Sequence, residues 1–373
     1  MKRYLITFLI FLLPAVGISA QTLGHSQWEG RKVAFLGDSI TDARQVEKTN
    51  NVYWNFLAEM LGFEPYVYGI SGHRMNQIQG QAEKLIAEHG MDFDAIIVFV
   101  GTNDYNGSIP MGEWYTYDVR ETLDDGPAMQ RRKHRQMSFD PETFKGRTNV
   151  TLRYLKQTFP DKQIIFLTPI HRAFAMFSDR NVQPDESFAN DCGLFVDDYV
   201  QAIKEIANIW AVPVIDLNSI CGLYPLLDEH SHYFRNAEKD RLHPNTPGQL
   251  RMAYALAYQL LAYPSYFPKQ LAFCFSSSLP SKTRTKLVSA LKAEGANCSF
   301  ADLPLSQEAA PQASQLRDGD IVYLLSSNPL EEAVALAREL KQLGFSIMSA
   351  EELYKVRGFD SLPEDWSSKT NVY

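Results

Sequence analysis

The stretch Val33-Ala34-Phe35-Leu36-Gly37-Asp38-Ser39-Ile40-Thr41-Asp42 decides how the rest of the chain is read. Four apolar residues run without interruption into Gly-Asp-Ser. A segment apolar on both faces suits a strand covered on both sides, as in a parallel sheet flanked by helices. Gly, Asp and Ser then make the turn. Taken alone, this is a strand and a turn. Placed in a parallel sheet, it presents a serine at the carboxyl end of a strand, which is where such sheets bind ligands.

The order of elements supports the sheet. Helical periodicity or length predicts helices over Tyr53–Leu61, Gln77–His89, Thr143–Phe159, Leu194–Ile209 and Pro247–Leu261. Short apolar runs predict strands over Lys32–Gly37, Tyr66–Ile70, Ala95–Gly101, Gln163–Pro169 and Val212–Leu217. This alternation implies an α/β fold with helices on both faces of the sheet. Polar clusters follow the strands: Gly69-Ile70-Ser71-Gly72, then Gly101-Thr102-Asn103-Asp104, and finally Asp240-Arg241-Leu242-His243 just before the last helix. Each cluster alone is a turn, a cap or a coincidence. Their shared position at strand ends makes coincidence a poor account.

Gly37-Asp38-Ser39, Gly72, Gly101-Thr102-Asn103-Asp104 and Asp240-x-x-His243 together resemble the four blocks of the SGNH hydrolases, also called the GDSL esterase/lipase family. The resemblance covers about residues 30–265. It implies a three-layer α/β/α, flavodoxin-like fold and hydrolysis of an ester by a serine nucleophile. A serine hydroxyl needs an adjacent base. His243 suits that role, and Asp240 would orient and stabilise its imidazole. The candidate oxyanion donors are the Ser39 N–H, the Gly72 N–H and the Asn103 side-chain amide. Asp38 is expected to bond backbone in its turn rather than serve as the triad acid.

Composition narrows the substrate. The 373 residues carry a formal net charge of −8, which argues against a nucleic-acid partner. Lys2 and Arg3, an apolar run from Leu5 to Leu13 and small residues up to Ala20 predict a signal peptide over residues 1–20. That run is short for a membrane span. The mature chain is therefore expected to be exported, periplasmic or secreted, with no membrane span. Cys192, Cys221, Cys274 and Cys298 match no zinc spacing, and both free thiols and disulfides stay open. No metal or other cofactor is expected, because His243 serves better as a base than as a ligand beside His230, His232 and Asp240.

Residues Tyr105–Asp140 form a long insertion with Trp114, Tyr115 and Tyr117 and the basic run Arg131-Arg132-Lys133-His134-Arg135. A surface loop is one reading. The other is a lid whose aromatic faces meet a sugar and whose cations meet an acidic substituent, although those cations could instead pair with Glu121, Asp124 and Asp125. Trp114 and Tyr115, with His232 at a pocket rim, are the candidate substrate contacts. The resulting expectation is an esterase removing acetyl groups from a small-molecule or glycan ester. A lipase or thioesterase is the alternative, as is an inactive carbohydrate-binding relative.

Residues 268–373 fall outside the resemblance. Predicted strands at Leu271–Phe275, Asp320–Leu325 and Phe345–Ser349, with helices at Ser281–Glu294 and Pro329–Leu343, suggest a smaller C-terminal α/β accessory domain. Ser276-Ser277-Ser278 reads as a plain loop or an anion cradle. The expected organisation is thus 1–20 signal, 21–265 hydrolase domain and 268–373 accessory domain.

Overall fold

The computed structural model describes residues 26–124 and 126–263, and the backbone of four later strands at 271–275, 298–301, 321–325 and 346–349. The expected signal peptide, the two C-terminal helices and Ser276–Ser278 lie outside the described residues.

Five parallel strands form the central sheet: β1 (Lys32–Gly37), β2 (Glu64–Val67), β3 (Ala95–Phe99), β6 (Gln163–Leu167) and β9 (Val214–Ile215), in the order β2-β1-β3-β6-β9. Residues of β1, β3 and β6 are buried almost throughout, and their alternation divides the core in two. Val33, Phe35, Ile97, Phe99, Ile165 and Leu167 pack with α2 (Tyr53–Leu61) and α8 (Thr246–Ala262). Ala34, Leu36, Ile96, Val98, Ile164 and Phe166 pack with α3 (Ile78–His89), α5 (Phe144–Thr158) and α6 (Val196–Trp210). This is the three-layer, doubly wound α/β arrangement. Short helices α1 (Val46–Thr49), α4 (Thr102–Asn106) and α7 (Leu217–Ile220) follow β1, β3 and β9.

Strand order places the site. β2 and β3 lie on opposite sides of β1, so the chain leaves β1 and β3 in diverging directions and opens a crevice at their carboxyl ends. The turn after β1 is tight. A Cβ at Gly37 would stand 2.4 Å from the Phe99 carbonyl oxygen, so only glycine lets β1 end against β3 in this way.

A second sheet, antiparallel in all its pairings, was not foreseen. It runs β10-β11-β7-β8, from β7 (Ala175–Ser178), β8 (Asn181–Gln183), β10 (Phe234–Asn236) and β11 (Asp240–Pro244). Asp240 and His243 therefore sit on a strand, not in a loop. Asn245 caps α8 by accepting the Gly248 N–H, and its amide donates to the carbonyls of His232 and Phe234. This fixes the chain just beyond His243.

The insertion is a β-ribbon rather than an irregular loop. β4 (Tyr115–Asp124) and β5 (Gly126–Met137) pair antiparallel from Tyr115↔Met137 to Asp124↔Gly126. Nearly every residue of it is exposed.

Beyond α8, β12 (Leu271–Phe275), β13 (Cys298–Ala301), β14 (Ile321–Leu325) and β15 (Ser346–Ser349) form an all-parallel sheet of their own, ordered β13-β12-β14-β15. The expected strands appear, and β13 is added to them.

Candidate active site

Ser39 Oγ lies 2.8 Å from His243 Nε2, across 204 residues of chain. His243 Nδ1 lies 3.0 Å from both Asp240 carboxylate oxygens. An ionised carboxylate can only accept, so Nδ1 carries the proton and Nε2 is left to accept from Ser39. Both side chains are close to buried, with Ser39 8% and His243 6% exposed. Asp240 Oδ1 also accepts the N–H groups of Leu242 and His243, which bends β11 so that residues three apart meet. Burial alone would raise the Asp240 carboxyl, but its bonds and charge contact with His243 carry it below the usual carboxylate range.

Asp38 plays the local part expected of it. Its Oδ1 accepts the Ile40 N–H at 3.0 Å, and its carbonyl accepts the N–H groups of Thr41 and Asp42. Burial pushes its carboxyl up to about 7.

The loop after β2 is tied at both ends. The Ser71 N–H and Oγ donate to Asp42, and the Asn103 amide donates to the His73 carbonyl at 3.1 Å. Gly72 stands between, at φ +84°, with open space where a Cβ would point. Its glycine is thus required by backbone conformation rather than by crowding. The N–H groups of Ser39 and Gly72 have no hydrogen-bond partner among the described residues, so both are free to donate beside Asn103.

Three residues that support the site carried little signal in the sequence. Gln81, buried on the apolar side of α3, bonds both the N–H and the carbonyl of Gly37 at 2.8 Å and reaches His73 Nδ1 at 2.9 Å. A glutamine on an apolar helix face was the available clue. Arg172 is fully buried. It donates to Thr102 Oγ1 at 3.2 Å and Gln183 Oε1 at 2.7 Å, and lies 5.2 Å from the Tyr105 ring. Burial lowers it to about 10. Phe177, on β7, sets its ring edge-on to the His243 imidazole at 5.4 Å and is 44% exposed. No local pattern joins residue 177 to residue 243; the β7–β11 pairing does.

The expected substrate contacts are displaced. Trp114 is 6% exposed and belongs to the core beside α5 and α6. Its indole N–H donates to Glu205, and its carbonyl accepts from Asn149. Burial leaves it no face for a sugar. Tyr115 has the Arg135 guanidinium 4.5 Å over its ring. His232 is exposed, its ring tilted 40° against that of Tyr233 with centroids 4.0 Å apart. None of the three shares a hydrogen bond, ion pair or ring contact with Ser39, Asp240 or His243. His230 accepts the Tyr224 N–H, away from the triad, and among the described residues no group of three or more His, Cys, Asp or Glu could hold a metal ion. Cys192 and Cys221 are free thiols.

A hydroxyl, an imidazole and a carboxylate in line at the carboxyl edge of a parallel α/β sheet form the arrangement that supports acyl transfer through a serine. The chain belongs to the GDSL-like lipase/acylhydrolase family, whose model matches residues 35–251. That family hydrolyses esters. Similar solved structures include one at 23% identity with a TM-score of 0.50, covering 64% of this chain and all of that one. A protein from Lactobacillus plantarum is 24% identical with a TM-score of 0.48, over 64% of this chain and 99% of its own. A structure described as "a possible lipase" from Chitinophaga pinensis is 21% identical with a TM-score of 0.45, over 62% and 97%. No curated protein matches. Among the described residues no helix is long and apolar enough to cross a membrane.

Proposed function

We propose that this ester hydrolase works through an acyl-enzyme on Ser39. His243 takes the Ser39 proton as the hydroxyl attacks the ester carbonyl, then returns it to the departing alcohol. Asp240 holds the imidazole in the required tautomer and stabilises the imidazolium. The carbonyl oxygen, charged in the tetrahedral intermediate, is received by the N–H groups of Ser39 and Gly72 and the Asn103 amide. Water attacks the acyl-Ser39 ester in the second half, with the same base. The observation that carries this reading is the unbroken contact from Ser39 Oγ through His243 to Asp240.

The substrate we favour is an acetyl ester of a carbohydrate, met outside the cell after cleavage of residues 1–20. It rests on the leader-like start and the family resemblance, and no longer on Trp114. Residues 21–265 would be the catalytic unit and 268–373 an accessory one. One feature favours a second reading. Phe177 stands exposed against His243, with Phe174, Met176 and Val182 also exposed nearby in the chain. Such a surface suits an apolar substituent, as on a lipid or a longer acyl chain.

The test is a panel of acetylated oligosaccharides and of soluble esters of increasing acyl length, each assayed with wild type and Ser39→Ala. Loss of all turnover in Ser39→Ala, on the order of 10⁴-fold or more, supports the nucleophile. Preference for the acetylated sugar over the longer acyl chains supports the first substrate reading, and the reverse order supports the second.

A further inference from the structure

The basic run Arg131-Arg132-Lys133-His134-Arg135 has no part in the site above. Strand alternation divides it between the two faces of the β4–β5 ribbon. Arg132 and His134 share one face with Asp118 and Asp124. There Arg132 pairs with Asp124, and Asp118 holds both His134 and Arg120, each at 2.8 Å. That face neutralises itself.

The other face is different. Arg131, Lys133 and Arg135 lie across the ladder from Glu121, Val119 and Tyr117. Arg131 has Glu121 opposite. Lys133 and Arg135 have no carboxylate partner among the described residues; they lie over the rings of Tyr117 at 4.3 Å and Tyr115 at 4.5 Å. On the same face Tyr117, Val119, Leu123 and Met129 are each 55–64% exposed. A row of apolar side chains beside a row of cations, on a ribbon that no other strand joins among the described residues, is a surface adapted to a partner.

We propose that this face docks on an anionic lipid surface. Tyr117, Val119, Leu123 and Met129 would enter the boundary between headgroups and acyl chains, while Lys133 and Arg135 meet lipid phosphates. Charge complementarity also sets the orientation. The chain as a whole carries −8, so an anionic surface repels most of it and attracts this face. An anionic polysaccharide fits less well. The tyrosine faces that would stack on sugars are covered by Lys133 and Arg135, and aliphatic Val119, Leu123 and Met129 gain more from hydrocarbon. The proposal does not depend on the catalytic reading.

The test is vesicle flotation of the full chain. Vesicles of phosphatidylcholine with a minority of phosphatidylglycerol should carry the protein, pure phosphatidylcholine far less, and raised salt should release it. The double variant Lys133→Gln/Arg135→Gln should bind about 30-fold more weakly. Leu123→Asp should bind more weakly too. Both variants should keep wild-type turnover of a soluble ester and a wild-type circular dichroism spectrum, which separates this outcome from misfolding or a failed catalytic reading. Equal binding to neutral and anionic vesicles, or a double variant that binds like wild type, overturns the proposal. So does a wild type that ignores vesicles yet is retained, through Lys133 and Arg135, on an anionic polysaccharide matrix.

Discussion

The Asp42 carboxylate accepts both polar hydrogens of Ser71, from the backbone N–H at 3.0 Å and from Oγ at 3.1 Å. Asp42 lies three residues after Ser39, and Ser71 immediately precedes Gly72. One carboxylate thus couples the turn that carries the candidate nucleophile to the loop that carries a candidate oxyanion donor. Burial would raise Asp42, but the Arg44 guanidinium and the N–H groups of Arg44 and Ser71 hold it at about 2. It is therefore ionised at every working pH.

Asp42→Ala should release Ser71 and let the Gly72 N–H wander. A donor aimed at developing charge matters most in the transition state, so kcat should fall about 10–100-fold while KM changes much less. Ser71→Ala, which keeps the backbone bond, should cost less. Steady-state kinetics on a soluble acetyl ester check both. A rise in KM with kcat intact would show that Asp42 does not orient the loop for catalysis.

Asp240→Asn should remove the acceptor that holds the Nδ1 proton. An amide nitrogen facing Nδ1 favours the other tautomer, with Nε2 protonated and unable to accept from Ser39. The loss in kcat should be on the order of 10⁴, as for the corresponding change in serine-protease triads. Activity within tenfold of wild type in a correctly folded variant would remove Asp240 from the mechanism.

Asp104 should make stability fall as pH rises. Burial pushes its carboxyl up to about 7 from an ordinary 3.8. Between those values the folded state holds a proton that the unfolded chain has lost, so unfolding is progressively favoured from about pH 4 to about pH 7 and the penalty then levels off. In Asp104→Asn that contribution is absent. The wild-type Tm, measured relative to the variant, should drop across this window by about 2–4 °C for each kcal/mol of penalty. Parallel Tm curves for the two proteins would show that Asp104 does not take up this proton.

Trp114→Ala should act on stability and not on substrate choice. The indole fills the core between α5 and α6 and bonds Glu205, so truncation should cost about 3–5 kcal/mol. Turnover of small and bulky esters by the folded fraction should change in equal proportion. Selective loss on the bulky ester alone would restore Trp114 to the substrate wall.

Local sequence determined the central sheet and the ends of its strands. Doubly buried strands need apolar residues on both faces, and the turns after them need Gly, Asp, Ser and Asn; both demands fall on neighbours in the chain and so are legible there. The candidate residues Ser39, Gly72 and Asn103 were legible because they follow those strands, whereas Asp240 and His243 were legible from their own spacing and lie on β11 of the second sheet. The β4–β5 ribbon was half legible. Tyr117, Val119 and Leu123 alternate, and Asp125-Gly126 is a hairpin turn signal, but dense charge hid the period.

What the tertiary structure alone decided is which distant residues meet. Gln81 reaches Gly37 across 44 residues, Phe177 reaches His243 through the pairing of β7 with β11, and Trp114 lies inside the protein instead of lining a crevice. A buried tryptophan and a substrate-stacking tryptophan look alike in a sequence, because the residue supplies the same apolar area to either partner. Which partner receives that area is set by long-range packing, and packing leaves no periodic trace near residue 114.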